Sequence, residues 1–282
     1  MKHFSRILLS LLVLLSVACG TAQSPPPEIP EGTQLRLDAA IERAIDDGRI
    51  VGGVLYVESG DSKYEKVYGL RAVTPDEEVM TRDTIFDVAS ITKSMAATPA
   101  IMLLVERGLV DLEAPVRRYV PEFEGGWRDE ATVRQLLTHF SGLRPDLDLD
   151  EPWSGYETAI DLIMLEELVN RPGAAFRYSD IGFELIGEIV HRVSGTPLDR
   201  FVEREVYAPL GMDDSGFTPD ESRRPRIAPT EIVEGAGLLR GIVHDPTARR
   251  MGGLAGHAGL FTTLDDIIRY VHMLRNGGEL DG

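Results

Sequence analysis

Thr84-Ile85-Phe86-Asp87-Val88-Ala89-Ser90-Ile91-Thr92-Lys93-Ser94-Met95 is the stretch on which the chain turns. An apolar, strand-like lead-in hands over to a helical pattern, and Ser90 stands at the junction. Residues three apart on a helix share a face, so Lys93 can return its amine to the Ser90 hydroxyl. A serine hydroxyl is a weak nucleophile until a neighbouring base takes its proton, and a lysine partly withdrawn from water can be that base. A helix start adds backbone N–H groups and a positive dipole end beside a developing oxyanion. The plainer alternative is a capped surface helix. Against it, lysine is scarce (Lys2, Lys63, Lys66 and Lys93), and only Lys93 has a serine three residues before it.

The length of 282 residues suits one domain of α/β type or two closely packed lobes. A net charge of −17 argues against a nucleic-acid partner, which needs a basic face. Cys19 is the one cysteine, so neither an internal disulfide nor a thiolate metal site can form. The histidines make no His-Glu-x-x-His pattern, and neither a Gly-x-Ser-x-Gly elbow nor a Gly-x-x-x-x-Gly-Lys loop occurs. Zinc peptidases, α/β-hydrolases and nucleotide enzymes are disfavoured accordingly. No metal and no cofactor are expected.

Residues 1–19 read as a secretory signal, with Lys2 and Arg6 ahead of an apolar core too short to span a bilayer. The run Leu15-Ser16-Val17-Ala18-Cys19-Gly20 resembles the lipobox of bacterial lipoproteins, with Ser16 where leucine is commoner. That resemblance implies an acylated Cys19 anchored to a membrane. A plain signal peptide with an incidental cysteine is the alternative. Residues 20–34, with Ser24-Pro25-Pro26-Pro27, form an extended tether. The domain over residues 35–282 would then sit in the cell envelope, facing periplasm or exterior.

Periodicity predicts a helix over residues 35–47, ended by Gly48. Strands over residues 53–58 and 63–70 follow, joined as a hairpin at Ser59-Gly60-Asp61. A long helix is expected from Ser90 to Arg107-Gly108, with Pro99 kinking it or disrupting its first turns. Further helices are expected over residues 133–139 (capped by Thr132), 157–170, Asp180–Ser194, after Thr196-Pro197, and over Leu264–Arg275. Strands near the N-terminus with a mostly helical stretch over about residues 100–235 make an α/β (α+β) fold.

Phe176-Arg177-Tyr178-Ser179-Asp180-Ile181-Gly182-Phe183 is the second motif. A loop with a phenol and a carboxylate two residues apart can place a proton shuttle opposite Ser90. It can equally be a helix N-cap by Asp180 with Tyr178 packed beneath. With Gln135-Leu136-Leu137-Thr138-His139-Phe140-Ser141-Gly142-Leu143 and Pro209-Leu210-Gly211-Met212, these stretches resemble the serine β-lactamase-related hydrolases. That group includes penicillin-binding proteins, class C β-lactamases and β-lactamase-like esterases, and the likeness covers about residues 35–278. It implies a β-lactamase/transpeptidase-like fold: an antiparallel sheet lobe against a mostly helical lobe. It also implies Ser90 as the acylated nucleophile, Lys93 as its base partner and Tyr178 as the acid/base serving the leaving group. Cell-wall D-alanyl peptides, β-lactams and small esters are the implied substrates.

Two departures stand out. The family's usual Tyr-x-Asn is here Tyr178-Ser179-Asp180, and an ionised carboxylate accepts hydrogen bonds but donates none. It would also hold positive charge on Lys93 more tightly. The family's third motif, Lys-Thr-Gly or His-Thr-Gly, has one literal candidate, His257-Ala258-Gly259. The surrounding Gly252-Gly253-Leu254-Ala255-Gly256 fits better the family's glycine-rich segment before a late helix, so this candidate is expected to be a decoy. The closing strands would then lie outside these residues, leaving an open sheet edge, poor solubility and no hydrolysis by the chain as it stands. The alternative to catalysis is an envelope lipoprotein that binds or senses cell-wall peptides.

Overall fold

Strands β1 (Gly52–Ser59) and β2 (Ser62–Ala72) pair antiparallel without interruption from Gly52↔Gly69 to Ser59↔Ser62, turning at Gly60 with φ +59°. The structure, a computed structural model, describes residues 28–282, so the expected signal, Cys19 and most of the tether lie outside it. Among the described residues no helix is long and apolar enough to cross a membrane. Strand β3 (Glu78–Val79) joins β2, which is the middle strand of this sheet. Helix α1 (Glu31–Asp46) starts ahead of its apolar stripe, where the Pro30 carbonyl accepts from Thr33 and Gln34. It buries no side chain fully; Leu37, Ile41, Ala44 and Ile45 are half-buried, and polar bonds add to its hold on the sheet. Asp38 accepts from Tyr64, Lys66 and Tyr68 of β2, each at 2.6 Å.

A second antiparallel sheet has the order β4 (Phe86–Asp87), β8 (Leu260–Thr262), β5 (Gly216–Phe217). The expected strand at 84–89 is thus two residues long, because β8, its partner, offers only three. A small ribbon of β6 (Ile232–Val233) and β7 (Gly237–Leu238) stands apart.

The helical lobe is built on α5 (Asp180–Ser194), whose residues from Ile181 to Val190 are all buried. A helix covered all round belongs at the centre of a core. Around it lie α2 (Thr98–Glu106), α3 (Val133–Leu137), α4 (Tyr156–Met164), α6 (Leu198–Val202), α7 (Ala208–Leu210), α8 (Pro246–Arg250) and α9 (Leu264–Arg275). Thr132 and Gln135 close a capping box on α3. The glycine-rich tract packs directly on α5, and a Cβ on Gly256 would lie 1.9 Å from the Phe183 carbonyl. Helix α4 ends six residues before the expected 170. There Arg144 grips Glu166 with two 2.6 Å bonds and Val169 N–H reaches the Gly142 carbonyl at 2.8 Å, drawing the segment into a loop.

Of the two expected effects of Pro99, the structure shows the second: the first turns of the helix after Ser90 are disrupted and the α-helix itself starts at Thr98. A π turn forms at Lys93–Ala97, in which Thr98 N–H reaches back to the Lys93 carbonyl. The Ser94 carbonyl thereby loses its α partner to Lys93, and Pro99 has no N–H to replace it. Tyr270 Oη of α9 donates to that carbonyl at 2.6 Å. Met95, whose α partner would be Pro99 itself, accepts from Tyr207 Oη at 3.2 Å.

Candidate active site

Ser90 is exposed at the tip of a turn that the surrounding chain holds in a costly conformation. Ala89 before it has φ +45°, in the left-handed region that a residue with a Cβ avoids. Three anchors hold the turn there. Asp87 Oδ1 accepts from Ala89 N–H at 2.9 Å, and Thr92 Oγ1 donates to the Ala89 carbonyl at 2.6 Å. Strand β8 binds it from both sides: Val88 N–H donates to the Leu260 carbonyl at 3.0 Å, and Leu260 N–H donates to Thr92 Oγ1 at 3.1 Å. Strain of this kind persists only where several contacts enforce it.

Lys93 opens the π turn and is 4% exposed. Its Nζ lies 3.1 Å from Ser90 Oγ, 3.1 Å from the His257 carbonyl and 2.5 Å from Asp180 Oδ1. Both charge states fit these neighbours. An ammonium donates to Ser90 and His257 and pairs by charge with Asp180, whose Oδ1 has no well-aligned hydrogen bond; a neutral amine keeps the His257 bond and turns its lone pair to the Ser90 hydroxyl. The Tyr178 ring centre is 4.8 Å from the same Nζ, and the Phe183 ring centre 5.7 Å. The Ser90 hydroxyl and the Lys93 amine thus meet the ring of Tyr178 from a distant part of the sequence.

Ser179, not Asp180, caps α5. Its backbone is extended, its Oγ accepts from Gly182 N–H at 3.2 Å, and it donates to the Arg144 carbonyl at 2.7 Å. Asp180 is already helical, with its N–H on the Pro145 carbonyl at 2.7 Å, so its carboxylate is free to face Lys93.

His139 belongs to the site too, though sequence reasoning gave it no role. Its ring stacks on Tyr178 with centres 4.3 Å apart and planes at 28°. Its Nδ1 accepts from Ser179 N–H at 3.1 Å, and its carbonyl accepts from Arg177 N–H at 2.8 Å, bracketing Tyr178 on both sides. Burial, and then the nearby Lys93, push the His139 imidazole below its ordinary value. The neutral ring with an accepting Nδ1 carries its proton on Nε2. The one hint in the sequence was its place in the Gln135–Leu143 motif, and its backbone at φ +61° is visible only in three dimensions.

His257-Ala258-Gly259 passes beneath Lys93 and leads into β8. The His257 ring is 1% exposed and offers no edge to solvent; what reaches the site is its carbonyl. Among the described residues no cluster of His, Cys, Asp or Glu is arranged to hold a metal ion.

The family model described as Beta-lactamase matches residues 37–282. A curated protein of Salmonella agona named "Putative D-alanyl-D-alanine carboxypeptidase" is 28% identical over 284 residues, spanning 86% of this chain. The chain covers 64% of that relative's length. A solved class C β-lactamase superposes with a TM-score of 0.74 at 24% identity, over 88% of this chain and 66% of that one, a likeness of fold. The octameric penicillin-binding protein homologue from Pyrococcus abyssi gives 0.73 at 29% identity, over 87% of this chain and 57% of that one.

Proposed function

The chain belongs to the β-lactamase family, and from that premise we propose that it is a serine hydrolase working through an acyl-enzyme. The observation that carries this reading is the single Lys93 amine within reach of Ser90 Oγ, Asp180 and the face of Tyr178. Neutral Lys93 takes the Ser90 proton as Oγ attacks an amide, lactam or ester carbonyl. The Tyr178 phenol gives a proton to the departing nitrogen or oxygen. Water then attacks the ester on Ser90 and gives its proton to the Tyr178 phenolate, while the Lys93 ammonium returns its proton to Ser90 Oγ as the C–Oγ bond breaks and the acid leaves. Cell-wall D-alanyl peptides are the substrate class favoured by the curated relative's name; β-lactams and small esters share the carbonyl chemistry.

The test runs on the whole protein with three probes: a D-alanyl-D-alanine peptide, a fluorescent penicillin and a p-nitrophenyl ester. Wild type is expected to turn over at least one of them, and Ser90→Ala to lose that turnover about 10³-fold or more. Equal rates in the two proteins would remove Ser90 as nucleophile. For localisation we propose a lipid anchor at Cys19 in the cell envelope, read by metabolic labelling with a fatty acid. Wild type should take up label and Cys19→Ser should not.

A further inference from the structure

Beneath Lys93 lies a second set of ionisable groups that acyl transfer does not touch. The His257 ring sits between two carboxylates, with Nε2 2.9 Å from Asp245 Oδ1 and Nδ1 3.3 Å from Glu184 Oε1. Asp245 is fixed in turn as the N-cap of α8, accepting from Ala248 N–H at 2.8 Å. Glu184 is wholly enclosed, and neither of its oxygens has a well-aligned hydrogen bond among the described residues. A neutral imidazole offers one N–H and one lone pair. A lone pair aimed at a buried carboxylate is repulsive, so the ring takes the additional proton on its second nitrogen and meets Glu184 as a cation.

The tendencies of the individual groups agree with this. Burial works to push His257 down, but the Asp245 hydrogen bond and the Glu184 and Asp245 charges outweigh it and hold the ring above its ordinary value. Burial pushes Glu184 up to about 7, against the pull of His257 and with the push of Asp146 and Asp180. Asp245 stays below the usual carboxylate range: burial raises it, and the His257 hydrogen bond and charge overcome that.

The cluster is joined to the site twice. Helix α5 carries Asp180 and Glu184 four residues apart on one face, the first meeting Lys93 and the second meeting the His257 ring. His257 closes the circuit by giving its backbone carbonyl to Lys93 Nζ.

Resting on the Ser90–Lys93 reading, we propose that His257 is a positioning residue with an electrostatic task. Hydrogen-bonded to Asp245 through Nε2 and facing Glu184 with Nδ1, it fixes the carbonyl against which the Lys93 amine lies. Its positive charge offsets the Asp180, Glu184, Asp245 and Asp146 carboxylates, which would otherwise keep a proton on Lys93. Removing that charge leaves the amine protonated to higher pH; removing the Glu184 charge does the reverse.

The experiment is the pH profile of kcat/KM for a p-nitrophenyl ester, with thermal melts to establish folding. His257→Gln is expected to move the acidic limb up by about one pH unit, and Glu184→Gln to move it down by a similar amount. Folded variants whose limb stays at the wild-type position overturn the proposal; a generally weakened fold would lower rates without moving it. Wild-type turnover by Ser90→Ala is a different failure, that of the nucleophile assignment. A readout without turnover covers that case, and also the case in which His257→Gln does not fold. Coupling between two sites is reciprocal, so Lys93→Met must raise the midpoint of the His257 ring titration, followed by NMR on ¹⁵N-histidine-labelled protein. An unmoved midpoint ends the proposal whatever Ser90 does.

Discussion

Asp180 is the residue at which this site departs from the usual amide, and its 2.5 Å contact with Lys93 gives that departure a direction. A carboxylate there stabilises the ammonium over the amine. Asp180→Asn removes that buried ion pair and should change kcat for the same ester about tenfold or more. An unchanged kcat would mean that the ion pair does not act on the base. His139 works on the phenol rather than the amine. His139→Ala removes the stacked ring and the acceptor for Ser179 N–H together, so kcat should fall about 10–100-fold with KM little changed. A loss confined to KM would assign His139 to substrate binding instead. Ser90 and Lys93 were legible because helical geometry alone joins positions three apart. Tyr178 and Asp180 needed the family likeness, and the role of His139 needed two loops some 40 residues apart to be seen touching.

At the scale of elements, the π turn decides how the nucleophile's helix survives a proline. The carbonyl of Ser94 depends on one hydroxyl from α9. Tyr270→Phe leaves that acceptor without its partner, and should cost about 1–3 kcal/mol in denaturant unfolding while keeping the ring's packing. Unfolding at the wild-type midpoint would show that water replaces the hydroxyl. The sequence pattern marked Pro99 as a problem but contained no sign of its solution, which lies 170 residues downstream. The bounds of helix α5 were readable, because its apolar period and Gly195 at φ +69° behind it agree, but its cap is Ser179 and not the Asp180 expected from the sequence. Helix α4 was drawn too long because Leu165 and Leu168 continue its stripe; Leu165 proves to be 77% exposed, and the Arg144–Glu166 pair sets the boundary. Strands of two residues, such as β3 and β5, are too short to show any period.

For the molecule as a whole, the enclosed cluster sets how stability varies with pH. Glu184 is raised to about 7 in the fold, so its stabilising contribution is complete below the ordinary glutamate range and is lost as pH climbs through about 7. His257, also raised, adds to stability below its ordinary value and loses that contribution as pH passes its elevated one. Surface pairs act oppositely. Glu58 is held at about 2 by hydrogen bonds from Tyr56, His272 and Arg275, and its contribution disappears only as pH falls toward that value. The wild-type melting temperature should therefore decline between about pH 5 and pH 7 in a way that Glu184→Gln flattens, by an amount on the order of 3 kcal/mol at most. Parallel curves for the two proteins, measured by calorimetry, would show that Glu184 does not titrate in this range.

The lacing of the Ser90 turn to residues 257–260 also fixes an order of events. Its hydrogen bonds join positions 164 and 168 apart, so loop closure of that span must come before the hydroxyl and amine can be aligned. During refolding, local helices can gather early while the reactive corner waits for its most distant partner. Competence to form the covalent adduct is then a late arrival, returning after the far-ultraviolet dichroism has recovered.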